Sequence, residues 1–256
     1  MIKFFRKIRQ NLLSEGRTGK YLKYAIGEIV LVMIGILLAL QINNWNTARK
    51  NNQLQLTYLK GIQNNLKEDK AELNRHFKSD TLILDAYTYF MKANLKTVAV
   101  SEQELIPMIY KVFKTYWFEG QNVVFSNLTS SGDLNLIQSE SIRIQIQKYY
   151  RLFVETEKQE SWHNDQILAL LKSLSKGINL YTFIEPTFEK RWQSYSGNPD
   201  ISNFSFEEVN ELTTLRLDTY SNIKSLIWAS HVARLRLYQQ GEILEKQIED
   251  YLIDHH

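Results

Sequence analysis

Tyr24-Ala25-Ile26-Gly27-Glu28-Ile29-Val30-Leu31-Val32-Met33-Ile34-Gly35-Ile36-Leu37-Leu38-Ala39-Leu40-Gln41-Ile42-Asn43-Asn44-Trp45 decides the architecture of this chain. Ile29 to Leu40 is unbroken apolar sequence. Tyr24 to Leu40 is 17 residues with one charge, Glu28, and about 17 is the shortest run that spans a bilayer. Tyr21 and Tyr24 at one end and Trp45 at the other are amphipathic rings of the kind that settle at membrane–water interfaces. Tyr24 to Trp45 is 21 steps, or about 31 Å of helix, against about 30 Å of hydrocarbon. Glu28 lies one turn inside the Tyr24 end, with Lys20 and Lys23 near it, where a charge costs less than at the midplane. The reading is one transmembrane helix. A buried helix of a soluble protein is the alternative. A cleaved signal peptide fits poorly: about 23 residues precede the apolar run, and Leu38-Ala39-Leu40-Gln41 is a weak cleavage site.

Charge sets the expected orientation. Residues 1–23 hold seven basic residues against Glu15 alone, a net +6, whereas the other 24 basic and 27 acidic residues give −3. The overall +3 hides this asymmetry. By the positive-inside rule the N-terminus is cytoplasmic and everything after Trp45 lies outside. Ile2, Phe5, Ile8 and Leu12 recur at helical spacing, with Lys3, Arg6, Lys7 and Gln10 on much of the opposite side. That pattern suits a helix lying among anionic headgroups. The expected organisation is residues 1–19 as a cytoplasmic basic amphipathic segment, with a turn at Ser14–Gly19. Residues 20–45 form the transmembrane helix, and residues 46–256 an extracytoplasmic helical domain. No nucleic-acid partner is expected, since lipid contact accounts for the basic cluster.

The outer region reads as all-α. Leu59, Ile62, Leu66, Leu73, Phe77, Leu84, Tyr87 and Met91 recur at steps of three, four or their sum, so the span continues as an amphipathic helix to about residue 94. Its outward face includes Gln63-Asn64-Asn65 and Lys67-Glu68-Asp69-Lys70. Residues 94–100 read as a loop. Ser101 with Glu104 fits a capping box, and Pro107 limits the short helix it opens. Thr115 to Gly120 is an aromatic turn region. A helix through Val123, Val124, Asn127 and Leu128 ends at Gly132 in the left-handed conformation. A second long helix carries Ile142, Ile146, Tyr149, Tyr150, Phe153 and Val154, extended by Ile167, Leu168, Leu170, Leu171 and Leu174 and stopped by Gly177. Residues 178–204 form an irregular connection. Ser205 with Glu208 opens a final helical run, broken near Asp218–Ser221, with a seam of Ile223, Leu226, Ile227, Val232, Ala233, Leu237, Leu244, Ile248 and Leu252. Three long helices and two or three short ones, over about 210 residues, make one bundle with a real core. A coiled-coil rod is disfavoured by irregular heptads.

The search for chemistry returns little. With no Cys, thiol nucleophiles, disulfides and Cys-ligated metals are excluded. None of His76, His163, His231, His255 and His256 forms a ligand-spaced helical pair. His163, in Trp162-His163-Asn164-Asp165, is the best site candidate by composition, although a surface or core-edge histidine is the commoner role. No nucleophile elbow, phosphate loop, dinucleotide fingerprint or zinc-protease motif occurs. Ser130-Ser131-Gly132-Asp133 reads as a turn. Trp117, Trp162, Trp192 and Trp228 fill core more often than they line a ligand pocket. Asn127-Leu128-Thr129 and Asn203-Phe204-Ser205 match a glycosylation sequon, relevant only in a eukaryotic secretory pathway. No catalytic, cofactor-binding or metal-binding residue is expected, and no enzymatic activity; an enzyme with a dispersed polar site is a third reading, which a polar cavity around His163 or Asp165 would favour. Gly35 and Ala39 form a small-x-x-x-small pair with Gly27 two turns earlier, which suits a homodimer or lateral contact with another membrane protein. Gly and Ala are also simply common in spans.

Three stretches carry a family resemblance: Met1-Ile2-Lys3-Phe4-Phe5-Arg6-Lys7-Ile8-Arg9, Gly19-Lys20-Tyr21-Leu22-Lys23-Tyr24-Ala25-Ile26-Gly27-Glu28-Ile29 and Ala39-Leu40-Gln41-Ile42-Asn43-Asn44-Trp45. They resemble the N-terminal signature of an uncharacterised family of single-span Bacteroidota membrane proteins, a domain of unknown function. Ser131-Gly132-Asp133-Leu134-Asn135-Leu136-Ile137 is similar to that family's later motif. The resemblance implies a bacterial membrane protein with a helical outer domain; joined to the charge asymmetry, the expected location is the inner membrane, with the N-terminus cytoplasmic and the bulk of the chain periplasmic. It implies no activity. The functional expectation is a membrane-anchored interaction or scaffold module that docks an unknown envelope protein. The alternative is an extracytoplasmic, sensor-like ligand-binding domain, which would signal through a partner because only about twenty residues face the cytoplasm.

Overall fold

The computed structural model describes residues 18–94, 111, 115, 117–174 and 217–255. Among them the chain is all-α, with no strand. Helix α1 is Thr18–Asn94, α2 is Val123–Ser130, a 3-10 turn covers Asp133–Leu136, α3 is Glu140–Leu174 and α4 is Leu217–Asp254. The chain divides into two compact units, Met1–Thr57 and Tyr58–His256, each treated by itself below.

In the first unit, the most apolar 18-residue window of α1 has a mean hydropathy of 2.4 and no buried residue. From Ile29 to Leu40 every large apolar side chain is exposed. A helix apolar on all sides is either a core helix or a membrane span, and this window packs against no core. One helix is thus long and apolar enough to cross a membrane. Thr18 and Gly19, expected in a turn, already lie in α1.

The second unit is a helical bundle. In α1, Leu59, Ile62, Leu66, Leu73, Ile83, Ala86 and Tyr87 are buried, following the expected stripe and adding two positions to it. Ile142, Ile146, Tyr149, Tyr150, Phe153 and Ile167 form the buried face of α3, and Ile223, Leu226, Ile227, Leu237, Leu244 and Ile248 that of α4. Each such side chain contributes about 1.5–3 kcal/mol through removal from water. The hydrogen bonds fix the directions. Tyr149 pairs with Asp69, and Glu160 meets Asp80 through Arg234, so α3 runs parallel to the second stretch of α1. Ser141 pairs with Gln247, Gln145 with Gln240 and His163 with Ser230, so α4 is antiparallel to α3.

Two parallel helices need a connection that returns the chain to its starting end. Residues 117–133 make that return, beside α1 and antiparallel to it. Glu119 meets Glu72, Gln121 meets Asp69 and Asn65, Gly61 lies against Val124, and Tyr58 meets Asp133. Helix α2 ends as the sequence indicates. Ser131 donates its backbone N–H to Asn127 O at 3.0 Å, and Gly132 takes φ 76°, a conformation that only Gly adopts at little cost. At the start of α3, Ser139 Oγ accepts the Ile142 N–H at 3.4 Å, and Glu140 sits in the first turn, where a carboxylate suits the positive helix end.

Several expectations change. Asp69, assigned to the outward face of α1, is 1% exposed, because a segment without helical bonds of its own lies over it. Val154 and Leu168, assigned to the stripe of α3, are exposed. The buried face is defined instead by positions 149, 153, 156, 160, 163 and 167, three of them polar. Helix α4 runs unbroken through Asp218–Ser221. The N-terminal amphipathic segment, the loop after residue 94, both capping boxes, Pro107, Gly177 and residues 178–204 lie outside the described residues.

Candidate functional site

The most unusual chemistry in the bundle is a charged cluster inside it. Arg234 of α4 is 1% exposed. Its Nη2 donates to Asp80 Oδ1 of α1 and its Nη1 to Glu160 Oε1 of α3, both at 2.7 Å. The planar guanidinium fork thus ties three helices with two charge-assisted bonds. Each carboxylate has a further partner. His231 Nδ1 lies 2.8 Å from Asp80 Oδ2, and the Phe118 N–H donates to Glu160 Oε2 at 2.6 Å. The His231 ring stands edge-on to Phe77 at 5.3 Å and parallel to Trp228 at 5.8 Å. Two carboxylates against one guanidinium leave one negative charge in the cluster. Charges withdrawn from water like this cost several kcal/mol each unless paired. All three buried ones are.

His163 belongs to the neighbourhood of this cluster. It is buried rather than at the surface, and its Nδ1 lies 3.1 Å from Ser230 Oγ. Burial holds its pKa below the usual histidine range; the Leu226 carbonyl opposes that, and the Arg234 charge adds to it. His163 is therefore neutral at pH 7. Both side chains of this Ser–His pair are buried. Its geometry is that of a satisfied core pair, and Asp165 points outward, being exposed.

A second polar group fastens the return segment. Three of its backbone N–H groups find carboxylates instead of carbonyls. Phe118 N donates to Glu160, Glu119 N to Glu72 Oε1 at 3.0 Å and Gln121 N to Asp69 Oδ1 at 2.8 Å. The Gln121 carbonyl accepts from Asn65 Nδ2 at 3.3 Å and from Tyr150 OH at 3.4 Å. Backbone groups leaving water must be paired, and here side chains of α1 and α3 supply what a strand partner would. Gly120 fits because a Cβ there would overlap the rings of Phe153 and Phe118. Tyr149 OH donates to Asp69 Oδ2 at 2.7 Å. Burial raises the phenol pKa of Tyr149 well above the usual range, helped by the adjacent Asp69 charge. Burial likewise pushes Tyr150 up to about 12.

The Ser131-Gly132-Asp133 motif is structural. Asp133 Oδ2 accepts from Tyr58 OH and from Ser131 Oγ, both at 2.8 Å, which locks the turn onto α1. The tryptophans depart from expectation. Trp117, Trp162 and Trp228 are all half-exposed or more and so are not core; Trp162 immediately precedes buried His163 and faces off the stripe. Trp192 lies outside the described residues. One surface pocket is lined by Lys60, Gln63, Asn64, Glu249, Leu252 and Ile253, without an aromatic ring. Among the described residues no cluster has the make-up of a metal site.

The sequence reading missed Asp69, Asp80, Glu160, His231 and Arg234. The signal for four of them was present. Asp69 falls between Leu66 and Leu73, Asp80 between Phe77 and Leu84, Glu160 between Phe153 and Ile167, and Arg234 between Ile227 and Leu237, each on the apolar period of its helix. Charges on a stripe that is otherwise apolar mark buried pairs.

No curated protein and no solved structure matches this chain. One family model does, over residues 28–182. The match takes in the apolar window, the return segment and its carboxylates, the Ser131-Gly132-Asp133 turn and α3, and stops before Arg234. It covers more than half of the chain, which belongs to that family of unknown function, DUF6090.

Proposed function

We propose that the protein is a single-span bacterial envelope protein whose helical bundle is an interaction or scaffold module held at the inner membrane. The observation that carries this reading is the wholly exposed apolar window of α1, with its mean hydropathy of 2.4. Such a surface is not stable in water and is stable in a bilayer. The +6 charge of residues 1–23 supports a cytoplasmic N-terminus and a periplasmic bundle. The resemblance of the first fifty residues to Bacteroidota single-span proteins supports the same compartment. The bundle supports a docking role through the exposed rings of Trp162 and Trp228, a side-chain type enriched at protein interfaces. A sensor-like pocket has less support, since the pocket at Lys60 and Glu249 lacks the aromatic lining such a site would use.

Photo-crosslinkers placed in intact cells at exposed positions of α3 and α4, such as Lys158 and Gln239, test this. Adducts to one defined envelope polypeptide are expected. Exclusively uncrosslinked chain at every position would contradict a docking role. The partner proposal extends to the span. Gly27, Gly35 and Ala39 lie within one 120° arc of ideal helix, and a Cβ at either glycine meets nothing within 4 Å. A second span packed there would give disulfide-linked dimers from Gly35→Cys and few from Met33→Cys on the opposite face. Equal yields would remove the small-residue face from the proposal.

A further inference from the structure

We propose that the Asp69 carboxyl is a proton-binding site that fastens the 117–122 return segment to the bundle, and that this segment is held more firmly in acid than at neutral pH.

The three carboxylates that hold the segment sit in different electrostatic surroundings. Glu160 has the Arg234 guanidinium at 2.7 Å. Glu72 has His76 Nε2 at 3.6 Å and keeps some exposure. Asp69 is 1% exposed, and its two oxygens are occupied by the Gln121 N–H and the Tyr149 hydroxyl. The charged groups that face it are acidic. Glu68 and Glu72 come from its own helix, while α3 contributes the phenols Tyr149 and Tyr150. From α4, Gly241 packs on Tyr149. The nearest cation in sequence, Lys70, is engaged with Glu245 of α4 at 2.5 Å and with the Tyr238 ring. Among the described residues no ion pair to Asp69 is formed. Burial without a cation, beside two further carboxylates, favours the neutral carboxyl over the charged one. Protonated, Asp69 keeps one oxygen to accept from the Gln121 N–H.

Burial raises the Asp69 pKa to about 6. The bonds from Tyr149 and Gln121 oppose the rise, and the charges of Glu72 and Glu68 add to it. The sign follows from linkage. Between its ordinary value of 3.8 and about 6 the closed form binds a proton that an opened form, with Asp69 in water, does not. Acid therefore favours the closed form, and the preference fades as pH rises through about 6. Complete solvation of Asp69 on opening corresponds to roughly a fiftyfold change in closure between pH 7 and pH 4.

Hydrogen exchange at the Gln121 amide tests this, in the full-length protein in detergent from pH 4 to 8, corrected for intrinsic exchange. The protection factor is expected to rise by on the order of tenfold or more from pH 7 to pH 4, the rise setting in as pH falls through about 6. Asp69→Asn should be flat over that range. Tyr149→Phe removes a bond that favours the charged form and should move that onset up. Glu72→Gln removes a repelling charge and should move it down. The same pH dependence in wild type and Asp69→Asn overturns the proposal. If Asp69→Asn does not fold, the two onset shifts decide: opposite movements support the site, and no movement in either variant overturns it.

Discussion

Two stretches of one helix treat water in opposite ways. From Ile29 to Leu40, α1 exposes every large apolar side chain. From Leu59 to Tyr87 it buries its apolar stripe and takes Asp69 and Asp80 inside with it. Backbone and helix type are the same, so the difference lies in what each stretch must satisfy. The first has backbone bonds closed within the helix and an all-apolar surface, a combination that suits a lipid solvent. The second lies in a bundle whose return segment has backbone groups to pair and whose helices need a fixed register. Charges are buried there because each finds a defined partner. The contrast teaches that a position's period along a helix tells whether it faces a neighbour, and that its chemistry then tells what kind of neighbour.

The strongest way to break the comparison is to place the same residue in both stretches. Ile62→Arg puts an unpaired charge in the core and should unfold the bundle, with a loss above about 4 kcal/mol and a collapsed thermal transition. Ile34→Arg should leave that transition in place. It should instead weaken retention in carbonate-washed membranes, by the roughly 2.5–3.5 kcal/mol that a mid-span charge costs. If the two variants behaved alike, α1 would not contain two environments.

Next in size is the charged cluster. Arg234→Met leaves two carboxylates facing each other in the core and should cost about 3–5 kcal/mol in denaturant midpoint. Adding Asp80→Asn and Glu160→Gln to it should recover part of that loss, because the uncompensated charge is the main penalty. A triple variant worse than the single one would show that the guanidinium is not what balances the carboxylates. Gly120→Ala is smaller, at about 1–3 kcal/mol, since the methyl must displace the Phe153 or Phe118 ring. Circular dichroism melts resolve that range. Smallest is Tyr58→Phe, which deletes one hydrogen bond to Asp133 and should cost about 0.5–1.5 kcal/mol. A larger loss would mean that the Ser131-Gly132-Asp133 turn carries more than one contact.

Much of this was legible in the sequence. The run from Ile29 to Leu40, the continuation to Asn94, the cap at Gly132 and the apolar seams of α3 and α4 all follow from composition and period. The polar interior was not, for two physical reasons. A charge on an apolar stripe has two outcomes, exposure through a local shift or burial with a partner, and the partner of Asp80 lies 154 residues away on another helix. The return segment has no period at all. It is ordered by acceptors on α1 and α3, so nothing within residues 117–122 announces it. The tryptophans misled because ring size alone suggested burial, whereas Trp162 and Trp228 sit beside the buried positions 163 and 227, off the stripe.

The central proposal is that α1 crosses a membrane with the bundle on the far side from the basic N-terminus. The chain has no native Cys, so Ser14→Cys and Lys158→Cys can be labelled singly with a membrane-impermeant maleimide in intact spheroplasts. The account predicts that Lys158→Cys labels at once, and Ser14→Cys only after the membrane is permeabilised. Labelling of Ser14→Cys alone would place the bundle in the cytoplasm and contradict the account.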